Sequence, residues 1–123
     1  MIKIIISSIR ERGFWRTILI ILNTVADKSF DWHFGTDTYR WAELDSLQID
    51  SDNKANGVRY VPTRAASFKH VISQVPFPEG SVFVDCGCGK GKVLLLAAQM
   101  SFKQVIGVEF SHELCDVARH NLN

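Results

Sequence analysis

The chain has 123 residues, of which 46% are apolar and 22% charged, the balance of a folded domain rather than of a disordered tail. A count of 14 Lys and Arg against 13 Asp and Glu gives a net charge of +1. That excludes a strongly acidic solvating domain and argues against a strongly basic nucleic-acid binder, and no uninterrupted apolar run is long enough for a spanning helix.

Residues 1–26 are rich in Ile and Leu and predict one or two packed helices, although the β-branched run at 2–6 is equally compatible with a strand. The apolar start is short and is interrupted by Arg10, Glu11 and Arg12. It has no clear small-residue cleavage site, so a packed helix is favoured over a signal or membrane-surface segment. Arg10, Arg12 and Arg16 are read as a solvated helix face, with a substrate or membrane contact as the alternative. Residues 27–60 are more polar, with Gly35, Asn53, Asn56 and Gly57 as turn formers. They predict a loop-rich connection with one short helix near 39–47. Trp15, Trp32 and Trp41 are expected in core or lid packing rather than stacked on a substrate.

Pro62 and Thr63 open a helical pattern in which Phe68, Val71, Ile72 and Val75 share one face, and Pro76 and Pro78 stop it. Residues 81–86 read as a strand, apolar on both faces until Asp85, as in a parallel strand covered by helices on both sides. A glycine loop fills 87–91. The helix at 93–100 is apolar over most of its circumference and is expected to be deeply buried. Residues 104–109 form a second strand. Ser111 is a plausible N-cap and Glu113 suits the first turn of the last helix, whose inner face is Leu114, Val117, Ala118 and Leu122. Strand, helix and strand of these lengths make a right-handed βαβ unit with parallel strands, so the fold class is α/β.

Cys86, Cys88 and Cys115 are too few, and odd in number, for a disulfide framework. Neither they nor His33, His70, His112 and His120 show metal-ligand spacing, so no metal site is expected. Three free thiols in a reducing cytosol, hence a cytoplasmic location, is the reading that composition favours.

The motif that carries chemistry is Val84-Asp85-Cys86-Gly87-Cys88-Gly89-Lys90-Gly91. It lies where open α/β sheets bind nucleotide-type ligands, off the carboxyl end of a strand. Its glycines form GxGxG. The dinucleotide fingerprint GxGxxG would need glycine where Lys92 stands, and the phosphate loop GxxxxGK[ST] fails at Cys86 and Val93. Glu109 ends the second strand, where a carboxylate can accept hydrogen bonds from both hydroxyls of a ribose, and Phe110 can pack flat on an adenine or belong to the core. Asp85 would repel a pyrophosphate but suits a cationic amine. A ligand with adenosine at one end and an ammonium at the other is S-adenosylmethionine. Lys90 and Lys92 are read as solvated loop charges.

These two motifs, Phe83-Val84-Asp85-Cys86-Gly87-Cys88-Gly89-Lys90-Gly91-Lys92-Val93 and Val105-Ile106-Gly107-Val108-Glu109-Phe110-Ser111, resemble the cofactor-binding motifs of class I S-adenosylmethionine-dependent methyltransferases. The likeness is closest to a group of bacterial, mostly uncharacterised members with a Gly-Cys-Gly-Lys-Gly loop. Gly35-Thr36-Asp37-Thr38 and Tyr60-Val61-Pro62-Thr63 also resemble that group's upstream region, and a looser likeness runs to the histone-lysine methyltransferases of the same fold. The resemblance covers about residues 30–123 and implies a Rossmann-like methyltransferase fold with S-adenosylmethionine as cofactor. It further implies that Gly87, Cys88, Gly89 and Gly91 shape the loop under the methionine end and that Asp85 holds the amine. Glu109 would bind the ribose, Phe110 would border the adenine, and Tyr60 and Thr63 would close over the methionine end.

In that family the acceptor-facing residues come from strands later than the two seen here. The chain is therefore expected to be truncated after its second strand–helix unit, with residues 1–59 an N-terminal helical cap and loop region and 60–123 the first part of the cofactor-binding domain. No catalytic residue is named. The methyl acceptor stays open between protein lysine, small molecule and nucleic acid. Exposed parallel edges predict a homo-oligomer that covers them. Two alternatives stand beside this reading: a non-catalytic, self-associating module, and a nucleotide-dependent oxidoreductase fragment, which Lys92 in the fingerprint disfavours.

Overall fold

A computed structural model describes residues 2–49 and 52–123, the side chains of 2–5 and 53 excepted. Helix α1 (Ile2–Arg12) and helix α2 (Phe14–Phe34) are separated at Gly13, whose φ of 85° breaks the helical path. The ambiguous run at 2–6 is helical, and α1 packs along α2. The Thr17 hydroxyl donates to the Gly13 carbonyl at 3.0 Å and lies 3.1 Å from the Ser8 hydroxyl, stitching the two helices at their hinge.

Helix α2 runs eight residues beyond the expected helical region, because the segment after it is organised around its own last turn. The Asp31 carboxylate accepts hydrogen bonds from the hydroxyls of Thr36 and Thr38 and from the backbone N–H groups of Thr38 and Tyr39, all at 2.6–2.9 Å. Burial opposes ionisation of Asp31, but these bonds, led by the Thr38 hydroxyl, hold its carboxyl below the ordinary aspartate value. In place of the expected short helix at 39–47 there are two 3₁₀ turns, Leu44–Ser46 and Asp52–Asn56, and one antiparallel bridge between Ala42 and Tyr60.

The buried positions of α2 are Thr17 and Asp31, so the helix docks through polar groups and leaves apolar ones outside. That corrects the expectation for the indoles: Trp15 is 76% exposed, Trp32 87% and Trp41 62%. Trp41 instead carries the Arg59 guanidinium over its ring at 5.9 Å.

Helix α3 (Ala65–Ile72) begins later and ends earlier than the periodicity predicted. Phe68 and Ile72 are half-buried, whereas Val71 within the helix and Val75 beyond its end both face solvent. Strand β1 (Val82–Cys86) pairs in parallel with strand β2 (Gln104–Val108), in the register Val82 to Gln104 through Cys86 to Val108. Helix α4 (Lys92–Ala97) joins them and helix α5 (His112–Leu122) follows. The described residues thus form a small α/β unit with a two-stranded parallel sheet.

One sheet face is covered and the other is open, which corrects the expectation of helices on both sides. Phe83 meets Phe68 of α3 edge-on and Phe102 at a tilt, and Phe102 stacks on Phe77 at 4.4 Å. Leu94, Leu96 and Ala97 of α4 are buried as expected. Gly107 admits α4 to the sheet, since a Cβ there would lie 2.5 Å from Leu94 Cδ1 and 2.8 Å from Cys88 Sγ. On the other face Val82, Val84 and Val108 are each about half exposed. Ser111 caps α5 by accepting from Leu114 N–H, and Leu114 and Ala118 are buried as expected. Asn121 is buried in the place predicted for Leu122, which is 45% exposed.

Candidate functional site

Val108 ends β2 and its carbonyl accepts from Gly87 N–H at 2.7 Å and from Cys88 N–H at 3.1 Å, so the loop after β1 is fastened to the end of β2. All three loop glycines, Gly87, Gly89 and Gly91, have positive φ. At Gly89 the requirement is double. Its φ is +53°, and an added Cβ would meet the Tyr60 ring at 2.2 Å. Tyr60 lies across the loop because its backbone bridges Ala42 and its hydroxyl donates to the Thr38 carbonyl at 2.9 Å.

Glu109 closes the loop from the other side. Its Oε2 accepts from Gly89 N–H at 2.8 Å, and its Oε1 accepts from Phe110 and Ser111 N–H at 2.9 and 3.0 Å. The carboxylate therefore ties the glycine loop to the entry of α5. Oε1 has both lone pairs engaged, whereas Oε2 keeps one for a further donor.

Between the glycine loop, residues 56–63 and the start of α5 lies a cavity of about 580 Å³. Asp85, Gly87, Cys88, Glu109, Phe110, Tyr60 and Thr63 all line it. Of the residues singled out from sequence, Gly89 and Gly91 stand behind the wall, Gly89 under Tyr60 and Gly91 against Ala118. Phe110 is 42% exposed, a flank of the cavity rather than core. Leu47, Ile49 and Leu114 form a small apolar cluster to which Tyr60 adds its ring.

The cavity disfavours extra negative charge. Burial raises the Asp85 carboxyl above its ordinary value, and the nearby Glu109 raises it further. Burial also pushes the Cys88 thiol up to about 11, helped by Glu109 and Asp85, so it is a protonated packing group at neutral pH rather than a nucleophile. Burial raises the Tyr60 phenol likewise. Cys86, Cys88 and Cys115 are all free thiols.

The two loop lysines are not solvated, contrary to expectation. Lys92 is 2% exposed; its ammonium pairs with Asp27 of α2 and lies 4.8 Å from the centre of the Phe30 ring. Lys90 is buried and pairs with Asp37 at 3.1 Å. Asn121 completes this anchor: its amide donates to the Lys90 carbonyl at 2.9 Å and its oxygen accepts from Asp37 N–H at 3.1 Å. Asp27, Asp37 and Asn121 were not legible as site residues. Each is a common polar residue far along the chain from the loop it holds.

No helix among the described residues is long and apolar enough to cross a membrane. No match was found among curated proteins or among solved structures. Residues 52–123, more than half of the chain and all of the segment that carries α3, the sheet and the glycine loop, match the family described as histone methylation protein DOT1. The chain belongs to that methyltransferase family.

Proposed function

We propose that the cavity binds S-adenosylmethionine and that the chain is the cofactor-binding part of a methyltransferase whose acceptor is unassigned. The observation that carries this is the meeting of Asp85 and Glu109, from the ends of two parallel strands, in one cavity with Phe110 and Tyr60. Its volume suits a nucleoside-sized ligand. In this reading residues 60–123 form a Rossmann-like cofactor-binding unit and residues 1–59 cap it.

When bound, S-adenosylmethionine supplies an electrophilic methyl group on a sulfonium. The chain's own part is to bind and orient. Asp85 holds the cationic amine and, once ionised, is relieved of its unfavourable burial by that charge. Glu109 takes one ribose hydroxyl at the free lone pair of Oε2, and the second only by releasing a backbone donor. Phe110 flanks the adenine. Gly87, Cys88, Gly89 and Gly91 keep the loop close, and Tyr60 with Thr63 covers the methionine end. Free cysteines fit a reducing compartment such as the cytoplasm.

Calorimetric titration with S-adenosylhomocysteine tests this. The chain is expected to bind it and not NAD, and Glu109→Ala is expected to weaken binding at least roughly tenfold, the worth of a charge-assisted hydrogen bond. Binding of NAD alone would favour the oxidoreductase reading. A second reading, a self-associating module without catalysis, draws on the open sheet face of Val82, Val84 and Val108.

A further inference from the structure

We propose that Asp27 and Asp37 determine the ligand class of the cavity by neutralising the two lysines of the glycine loop. This inference rests on the cofactor reading above. It concerns residues outside the family match, which begins at residue 52.

The loop Gly-Lys-Gly-Lys carries two cations beside a small-ligand cavity, and Lys92 itself lines that cavity with Asp85 and Glu109. Left alone, such a loop attracts phosphate and opposes a sulfonium. Both cations are instead cancelled by carboxylates from the N-terminal segment. Lys92 pairs with Asp27 where both side chains are largely buried, 2% and 18% exposed. Lys90 pairs with Asp37, and its ammonium lies 5.8 Å from the centre of the Tyr60 ring, which covers Gly89. The Asn121 side chain bonds the backbones of Lys90 and Asp37 together, so this second pair is held in place from both sides.

With both lysines cancelled, the remaining charged residues that line the cavity among the described residues are Asp85, Glu109 and Arg59, whose guanidinium lies over Trp41. The field at the methionine end then favours a positive ligand. Removing the Asp27 charge leaves a buried ammonium without its partner, and that field reverses toward anions.

The test compares three ligands on the 123-residue chain: S-adenosylmethionine, which carries the sulfonium; S-adenosylhomocysteine, which lacks it; and ADP, which carries phosphates. Asp27→Asn is expected to lower the S-adenosylmethionine to S-adenosylhomocysteine affinity ratio roughly tenfold, the scale of one unpaired charge beside the cavity, and to strengthen ADP binding. Asp27→Asn combined with Lys92→Met restores the parent ratio. Asp37→Asn shifts the ratio the same way but less, since Asp37 is 53% exposed; it also supplies a variant that keeps its fold, checked by circular dichroism. If all three ligands weaken together with the ratio unchanged, the two aspartates serve structure alone and the proposal is overturned. If the folded parent chain binds neither adenosyl ligand, the cofactor reading itself fails and this proposal with it, a result visible before any variant is made.

Discussion

Asp85 pays for its position: its carboxyl is held above the ordinary aspartate value of 3.8, first by burial and then by Glu109. A raised folded value means that the folded state keeps its proton longer, so stability falls as pH rises through the interval between the unfolded and folded values. Asp85→Asn removes that dependence. It is expected to melt higher than the parent at neutral pH, with the difference vanishing below the ordinary value. The same variant is expected to bind S-adenosylhomocysteine roughly tenfold more weakly or worse, for loss of a charge-assisted contact. Asp31 has the opposite sign. Its folded value is depressed, so the stability it contributes is present above 3.8 and is lost as pH falls through the lower folded value. Asp31→Asn is expected to cost about 1–3 kcal/mol in urea unfolding at neutral pH, the penalty for leaving buried donors unmatched, and less in acid. Asp85 and Glu109 were legible because their signal is local, a carboxylate at the end of each strand beside a glycine loop. Lys90 and Lys92 were misread because their partners lie 53 and 65 positions away, and no local pattern announces them.

At the scale of elements, periodicity served where burial decides and failed where polar bonds decide. The buried α4 and the parallel β1–β2 pair followed from apolar runs and the spacing of a βαβ unit. The end of α2 did not, because it is set by the four bonds converging on Asp31. The outward face of α2, with its exposed indoles, was equally hidden: an apolar run does not tell which side of a helix docks through polar groups. Leu96 of α4 is 3% exposed, and Leu96→Ala is expected to destabilise the chain by about 2–5 kcal/mol, measured by thermal or urea unfolding. Gly89→Ala is expected to disturb the site more than its size implies. It must displace the Tyr60 ring and strain a left-handed backbone position, so ligand affinity falls even where the helical signal survives.

For the whole molecule, the family match begins at residue 52, yet the glycine loop is held from residues 27–39 through Asp27, Asp37 and the Thr38 carbonyl. The N-terminal segment and the glycine loop are therefore one mechanical unit. The open sheet face predicts association that grows with concentration in sedimentation velocity and that Val84→Lys reduces. A single monomeric species across the series would remove the self-association reading. Direct photo-cross-linking tests the proposed cofactor site. The chain is irradiated with methyl-labelled S-adenosylmethionine and the labelled peptides are mapped. The expected result is label confined to residues 56–63, 85–93 or 109–114, competed by S-adenosylhomocysteine and lost in Glu109→Ala. Label elsewhere on the chain, or label that the competitor does not displace, would contradict it.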